Sequence, residues 1–151
     1  MKLMSFAVPC YNSEEYMQKC IESLLKGGED VEIIVVNDGS HDNTREIAED
    51  YVRRYPSIVK AVHKENGGHG SGVNKGLELA SGLYYKVVDS DDWLDETALK
   101  TLLDTIKKHR TENVLPDLYL TNFVYEKVYE GGRYVRRFTK NFPVNLSLIH
   151  I

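Results

Sequence analysis

Val31-Glu32-Ile33-Ile34-Val35-Val36 is a nearly unbroken apolar run, rich in β-branched residues, and it stops at once in Asn37-Asp38-Gly39-Ser40, a cluster of turn formers. A strand of this kind is usually covered on both faces, as in a parallel sheet. The same unit recurs outward from it. Leu3 to Val8 reads as a buried strand ended by Pro9. A helix follows, capped by Asn12 or Ser13 with Glu15 three residues after Asn12, and its apolar face is Met17, Cys20, Ile21, Leu24 and Leu25. Gly27 and Gly28 stop it. A second helix starts near Thr44, faces Ile47, Ala48, Tyr51, Val52 and Tyr55 inward, and closes at Pro56. Ile58 to His63 is a third strand. A glycine-rich loop runs from Glu65 to Gly72, then a helix carries Val73, Leu77 and Ala80 in register. Tyr84 to Val88 is a fourth strand, ending in Asp89-Ser90-Asp91-Asp92, and a fourth helix turns Ala98, Leu99, Leu102, Leu103 and Ile106 inward. Leu118 to Tyr129 reads as a strand that Gly131-Gly132 turns into a partner at Tyr134 to Phe138.

This alternation predicts an α/β fold, a mostly parallel sheet flanked by helices with a late β-hairpin as a mixed edge. The 151 residues suffice for one domain with a real core, expected over 1–144, and 145–151 reads as an arbitrary chain end. A net charge of −4 with no basic stripe argues against a nucleic-acid binder, so phosphate would have to be held locally, by backbone amides or a metal. Two cysteines, Cys10 and Cys20, imply no disulfide framework and fit a reducing, cytoplasmic setting. The first apolar run is too short for a signal peptide, and no stretch approaches a membrane-spanning helix.

In open α/β sheets ligands bind beyond the carboxyl ends of the strands. The four strands end in Pro9-Cys10-Tyr11-Asn12, in Asn37-Asp38-Gly39-Ser40, in the glycine loop and in Asp89-Ser90-Asp91-Asp92, so all four clusters are expected along one rim. Asp89 and Asp91 are two apart. In an extended chain they point the same way, repel, and are relieved by a divalent cation. Carboxylate oxygens favour Mg²⁺ or Mn²⁺ over Zn²⁺. The plainer reading is a solvated turn that caps the next helix. Asp38 is either a nucleobase acceptor or an ordinary turn residue. The glycine run lets a backbone approach a diphosphate, yet it is neither a dinucleotide fingerprint nor a P-loop. Ser40-His41-Asp42 is no hydrolase triad, because triad members converge from separate segments. Trp93 reads as packing against the fourth helix.

Together, Ala7 to Glu14, Val35 to Ser40 with Asp42 and Thr44, Asn66-Gly67-Gly68 through Asn74-Lys75-Gly76, and Val88 to Trp93 resemble glycosyltransferase family 2, in order and spacing, over about the first 110 residues. The resemblance implies a GT-A (Rossmann-like) fold and an inverting enzyme that takes sugar from a nucleotide-diphospho-sugar, often UDP-linked. The acceptor is a glycan or lipid-linked molecule of polysaccharide or cell-envelope synthesis. The setting is cytoplasmic, with peripheral association at the inner face of the membrane. By position, Pro9 and Tyr11 look like residues lining the base and Asp38 like the carboxylate that reads it. Asn66 and Gly68 match the third motif of the donor site. Asp89-Ser90-Asp91 looks like the D-x-D element, with Asp91 and then Asp89 as ligands of Mn²⁺ or Mg²⁺, and Asp92 resembles a carboxylate used in some members. Val73 stands where many members carry arginine, which leaves Lys75, His69 or backbone amides for the phosphates. The resemblance puts the general base farther downstream of the D-x-D than residue 151, and Glu126 and Glu130 fall in no matching motif. Two rival readings are a non-catalytic nucleotide-binding module of the same fold and a sugar nucleotidyltransferase. The latter's glycine-rich basic signature after the first strand is absent.

Overall fold

The structure, a computed structural model, describes residues 1–127 and 132–136. Residues 1–103 and 104–151 form two compact units. In the first, β1 (Met4–Cys10), β2 (Val31–Asp38), β3 (Val59–Lys64) and β4 (Tyr84–Val87) make one all-parallel sheet of order β3-β2-β1-β4. Helices α1 (Met17–Leu25), α2 (Thr44–Arg54) and α3 (His69–Leu79) connect the strands, and α4 (Glu96–Thr111) follows β4. The chain moves from β1 to β2 to β3 in one direction, then returns to place β4 on the other side of β1. The topological switch point therefore lies between the loops that leave β1 and β4, where such sheets bind ligands.

Every residue of β1 and β2 is buried, as a strand covered on both faces requires. Phe6 stands opposite Ile33 and Val8 opposite Val35, all without solvent exposure. Burial of each such side chain contributes roughly 1.5–3 kcal/mol. The strand does not end at Pro9 but runs on to Cys10. Proline is tolerated because Ala7 gives its carbonyl to Val88 on the β4 side. By alternation Pro9 faces that side too, past the last β1–β4 pair at Ala7 and Val87, where no ladder amide is needed.

Helix α1 starts at Met17, and neither Asn12 nor Ser13 caps it, because their side chains hold other loops. Its buried face is Met17, Cys20, Ile21 and Leu24. In α2, Asp42 Oδ1 accepts the Thr44 amide at 3.0 Å and supplies the start signal. Helix α3 departs from its expected register, for Leu77 is 55% exposed and the buried residues are Gly72 and Gly76. A Cβ at Gly76 would stand 2.4 Å from Ala7 Cβ, and one at Gly72 3.0 Å from Pro9 Cβ. The two glycines thus let the helix backbone lie directly on β1.

The second unit carries β5 (Phe123–Lys127) and β6 (Gly132–Arg136), an antiparallel pair that forms its own two-stranded sheet. The expected mixed edge on the main sheet is not found among the described residues. Residues 118–122 are not strand; Tyr119 instead hydrogen-bonds and stacks on His109. Tyr129, Glu130, Gly131, the expected strand end at 137–138 and the tail 145–151 lie outside the described residues.

Inside β2 one charge is buried. Glu32 Oε1 accepts Ser5 Oγ (2.6 Å), Ser81 N (2.5 Å) and Oγ (2.9 Å), and Gly82 N (3.1 Å), while Oε2 accepts Lys60 Nζ (2.8 Å). Burial pushes its pKa up, but Lys60 and the hydroxyl and amide donors outweigh it and hold the carboxyl at about 2. A depressed folded pKa adds stability in full above the unfolded value near 4.5, and that stability is lost as pH falls through about 2. Glu32→Ala should lower unfolding free energy at pH 7 by about 2–4 kcal/mol in urea titrations, because it leaves the Ser5, Ser81 and Gly82 donors unpaired, while the half-exposed Lys60 is solvated. The deficit should shrink as pH falls below about 4.

Candidate functional site

The four loops at the carboxyl edge of the sheet are joined in a closed circuit of hydrogen bonds. Between the β1 and β2 loops, the Asn12 amide donates to Ser40 Oγ (3.0 Å) and the His41 amide to Asn12 Oδ1 (2.9 Å). Glu14 adds to this join, its amide donating to Asp42 Oδ2 (3.1 Å) and its Oε2 accepting Asn43 N (3.0 Å) and Nδ2 (2.7 Å). From β2 to the β3–α3 loop, Asp38 Oδ1 accepts the Gly67 amide (3.0 Å) and the Lys64 ammonium. From α3 to the β4 turn, His69 Nε2 lies 2.9 Å from Asp89 Oδ1. From that turn back to β1, the Ser90 and Ser13 hydroxyls are 2.9 Å apart. Ser13 Oγ also accepts the Tyr11 amide (3.1 Å), and its own amide donates to Thr44 Oγ1 (2.8 Å).

Backbone geometry makes this closure possible. Asn12 adopts a left-handed φ of 48°, and Gly39 and Gly68 have φ of 72° and 81°. A Cβ on Gly39 would stand 2.8 Å from the Asn66 amide, so the β2 turn must be glycine for the β3–α3 loop to cross it. Behind the rim, Asn37 Oδ1 accepts the Ser40 amide (3.1 Å), which leaves its Nδ2 to donate to His63 Nδ1 (3.1 Å). The His63 ring proton then belongs on Nε2, 2.7 Å from Glu49 Oε1.

Tyr11 is 51% exposed beside this circuit, and Pro9 is buried beneath it in β1. Asn66 is exposed and its Oδ1 accepts the Gly68 amide at 3.3 Å. The helical bonds of α3 begin with Ser71 and Gly72, both donating to the Gly68 carbonyl, so the His69 and Gly70 amides precede them. Asp38 is buried. Burial alone would raise its pKa, but Lys64 and the loop amides hold it below the usual carboxylate range.

The acidic segment is not extended, as parallel aspartate side chains would require. The Asp92 amide donates to the Asp89 carbonyl at 2.9 Å and closes a turn that carries three aspartates in four residues. The Asp92 pKa is raised, first by loss of solvation and then by the charges of Asp91 and Asp89, with Lys86 opposing. Among the described residues no lysine or arginine pairs with these aspartates, and the His69–Asp89 contact is exposed on both sides. Oxygen-only donors suit a hard divalent ion. No group of three or more His, Cys, Asp or Glu among the described residues is arranged to hold one.

Other candidates separate from the rim. Lys75 is committed to Glu78 at 2.9 Å. Cys10 is buried and pushed up to about 12, and burial raises Cys20 as well, so neither offers a thiolate near neutrality. Trp93 is 38% exposed, with the Lys19 ammonium 3.1 Å from its ring centroid. Sequence reading missed Lys64 and Ser13 as rim residues. Lys64 had one signal, its place at the end of a strand next to the one bearing Asp38. The hydroxyl pairs had none.

The sequence profile of Glycosyl transferase family 2 matches residues 5–148. The uncharacterized glycosyltransferase EpsJ of Bacillus subtilis (strain 168) is 39% identical over 113 residues, covering 74% of this chain and 33% of EpsJ. The crystal structure of S. aureus TarS 1-349 in complex with UDP aligns with a TM-score of 0.63 at 35% identity, over 73% of this chain and 33% of that one. The same TarS fragment in complex with UDP-GlcNAc aligns with a TM-score of 0.61 at 35% identity, over 73% and 32%. A mannosyltransferase from Pyrobaculum calidifontis, in complex with GDP-Man and Mn²⁺, is similar in fold, with a TM-score of 0.60 at 22% identity over 70% and 32%. The chain spans about a third of the length of these proteins. Among the described residues no helix is long and apolar enough to cross a membrane.

Gly39→Ala combines a positive φ with a 2.8 Å clash. It should cost at least about 1–2 kcal/mol of stability by urea unfolding, whereas alanine at the exposed Gly70 should cost less than about 0.5 kcal/mol.

Proposed function

The chain belongs to glycosyl transferase family 2, and from that premise we propose that it forms the nucleotide-diphospho-sugar-binding part of an inverting glycosyltransferase. The donor is a UDP-sugar, and the acceptor is a glycan or lipid-linked saccharide of polysaccharide or cell-envelope synthesis. The enzyme works in the cytoplasm, at the inner face of the membrane. The observation that carries this reading is the hydrogen-bond circuit, which holds an exposed aromatic, a buried carboxylate and an acidic turn with no lysine or arginine partner among the described residues along one edge of the sheet. The TarS complexes with UDP and UDP-GlcNAc, at 35% identity, favour uracil as the base.

In this reading Tyr11 and Pro9 line the base, and Asp38 accepts its imide N–H. Asn66 shapes the β3–α3 loop through Gly68, so that the first amides of α3 meet the diphosphate. Asp89 serves the ribose or the ion, Asp91 is the principal metal ligand, and Asp92 stands beside them toward the sugar. Ser90 fixes the turn by its bond to Ser13. A bound Mn²⁺ or Mg²⁺ supplies Lewis-acid stabilisation for the charge that grows on the leaving nucleoside diphosphate. The residue that takes the acceptor proton is assigned to none of the described residues.

Calorimetric titration of the 151-residue chain with UDP and GDP, with and without Mn²⁺, tests this. UDP should bind better than GDP and only with the ion, and Asp91→Ala should weaken UDP by more than about tenfold. Tight UDP binding that survives chelation would overturn the assignment.

A further inference from the structure

We propose that Lys64 is the positioning residue of the nucleobase acceptor: it commits one oxygen of Asp38 inward so that the other is presented to the base. This rests on the nucleotide-binding reading above.

Lys64 and Asp38 are direct register partners at the ends of β3 and β2. The Lys64 ammonium bonds Asp38 Oδ1 and also donates to the Glu65 carbonyl at 2.6 Å. A Cβ at Gly67 would come within 3.0 Å of its Nζ, so the ammonium lies tucked under the glycine loop. The two side chains are 24% and 5% exposed, which makes this a partly buried pair rather than a surface one. Asp38 Oδ1 also takes the Gly67 amide, so the Lys64 ammonium and that amide both converge on this one oxygen. Lys64 from β3 is the charged group facing Asp38, and the amides of Gly67 and Gly68 face it from the loop.

The chemistry requires such a partner. A carboxylate this buried, left without a cation, takes up a proton. A neutral carboxyl is both donor and acceptor, and it no longer reads an imide N–H with a charge-assisted bond. Lys64 itself is spent on Asp38 and the Glu65 carbonyl, so its effect on the ligand passes through Asp38.

The test is titration of the full chain with UDP in Mn²⁺ at several values between about pH 6.5 and 8.5, with pyrophosphate in Mn²⁺ as a probe of the metal end alone. Wild-type affinity should change little over this range. Lys64→Met should bind UDP at least about tenfold more weakly at the low end and recover as pH rises, because an unpaired Asp38 ionises only there. Lys64→Arg should stay within about threefold of wild type, and pyrophosphate should bind all forms alike. If circular dichroism shows Lys64→Met unfolded, Lys64→Gln carries the same pH readout. A Lys64→Met (or →Gln) profile parallel to wild type, weakened or not, overturns the inference, as does an equal loss of pyrophosphate. A wild-type chain that binds no UDP removes the nucleotide reading, and this inference with it.

Discussion

Parallel pairing sends the carboxyl ends of β1, β2, β3 and β4 to one edge of the sheet, and every functional candidate follows from that geometry. Polar loops crowded together have to satisfy their own amides. Here they do so with each other's side chains. Asn12, Ser13, Asp38 and His69 each bond a group from a loop that follows a different strand. The reversal of strand order between β1 and β4 puts the Ser13–Ser90 bond at the switch point.

Carboxylates are handled in three ways. Glu32, deep in the sheet, is paired with Lys60 and surrounded by hydroxyl and amide donors, and it serves stability. Asp38, at the rim, is paired with Lys64 and loop amides, which hold its pKa below the usual carboxylate range. Asp89, Asp91 and Asp92 share one turn with no lysine or arginine partner among the described residues. The core compensates its buried charge, whereas in the acidic turn Asp89 meets only the exposed His69 among the described residues and Asp92 is raised by its neighbours' charges.

Much of the fold was legible because burial leaves a period. The apolar run of β2 announced a doubly covered strand, and Met17, Cys20, Ile21 and Leu24 marked the inner face of α1. The failures have physical causes. A reading that counts large apolar residues chose Leu77 for the inner face of α3, but close packing on Ala7 and Pro9 demanded residues without side chains. Pro9 looked like a strand end because a missing amide matters only where a ladder continues. Asp89 and Asp91 looked parallel because their spacing suits a strand, but the chain turns at Asp89–Asp92. That four short clusters meet along one rim could be read from the sequence, whereas the bonds between them could not. Ser13 and Ser90 are 77 residues apart, and nothing in either motif pairs them.

In the proposed function one divalent ion sits between the β4 turn and a nucleotide diphosphate. The most direct measurement is paramagnetic broadening of backbone amide resonances by substoichiometric Mn²⁺, with and without UDP. The account predicts broadening centred on residues 89–92 and 67–70, and strengthened by UDP. Broadening centred elsewhere, or unchanged by the nucleotide, would contradict it.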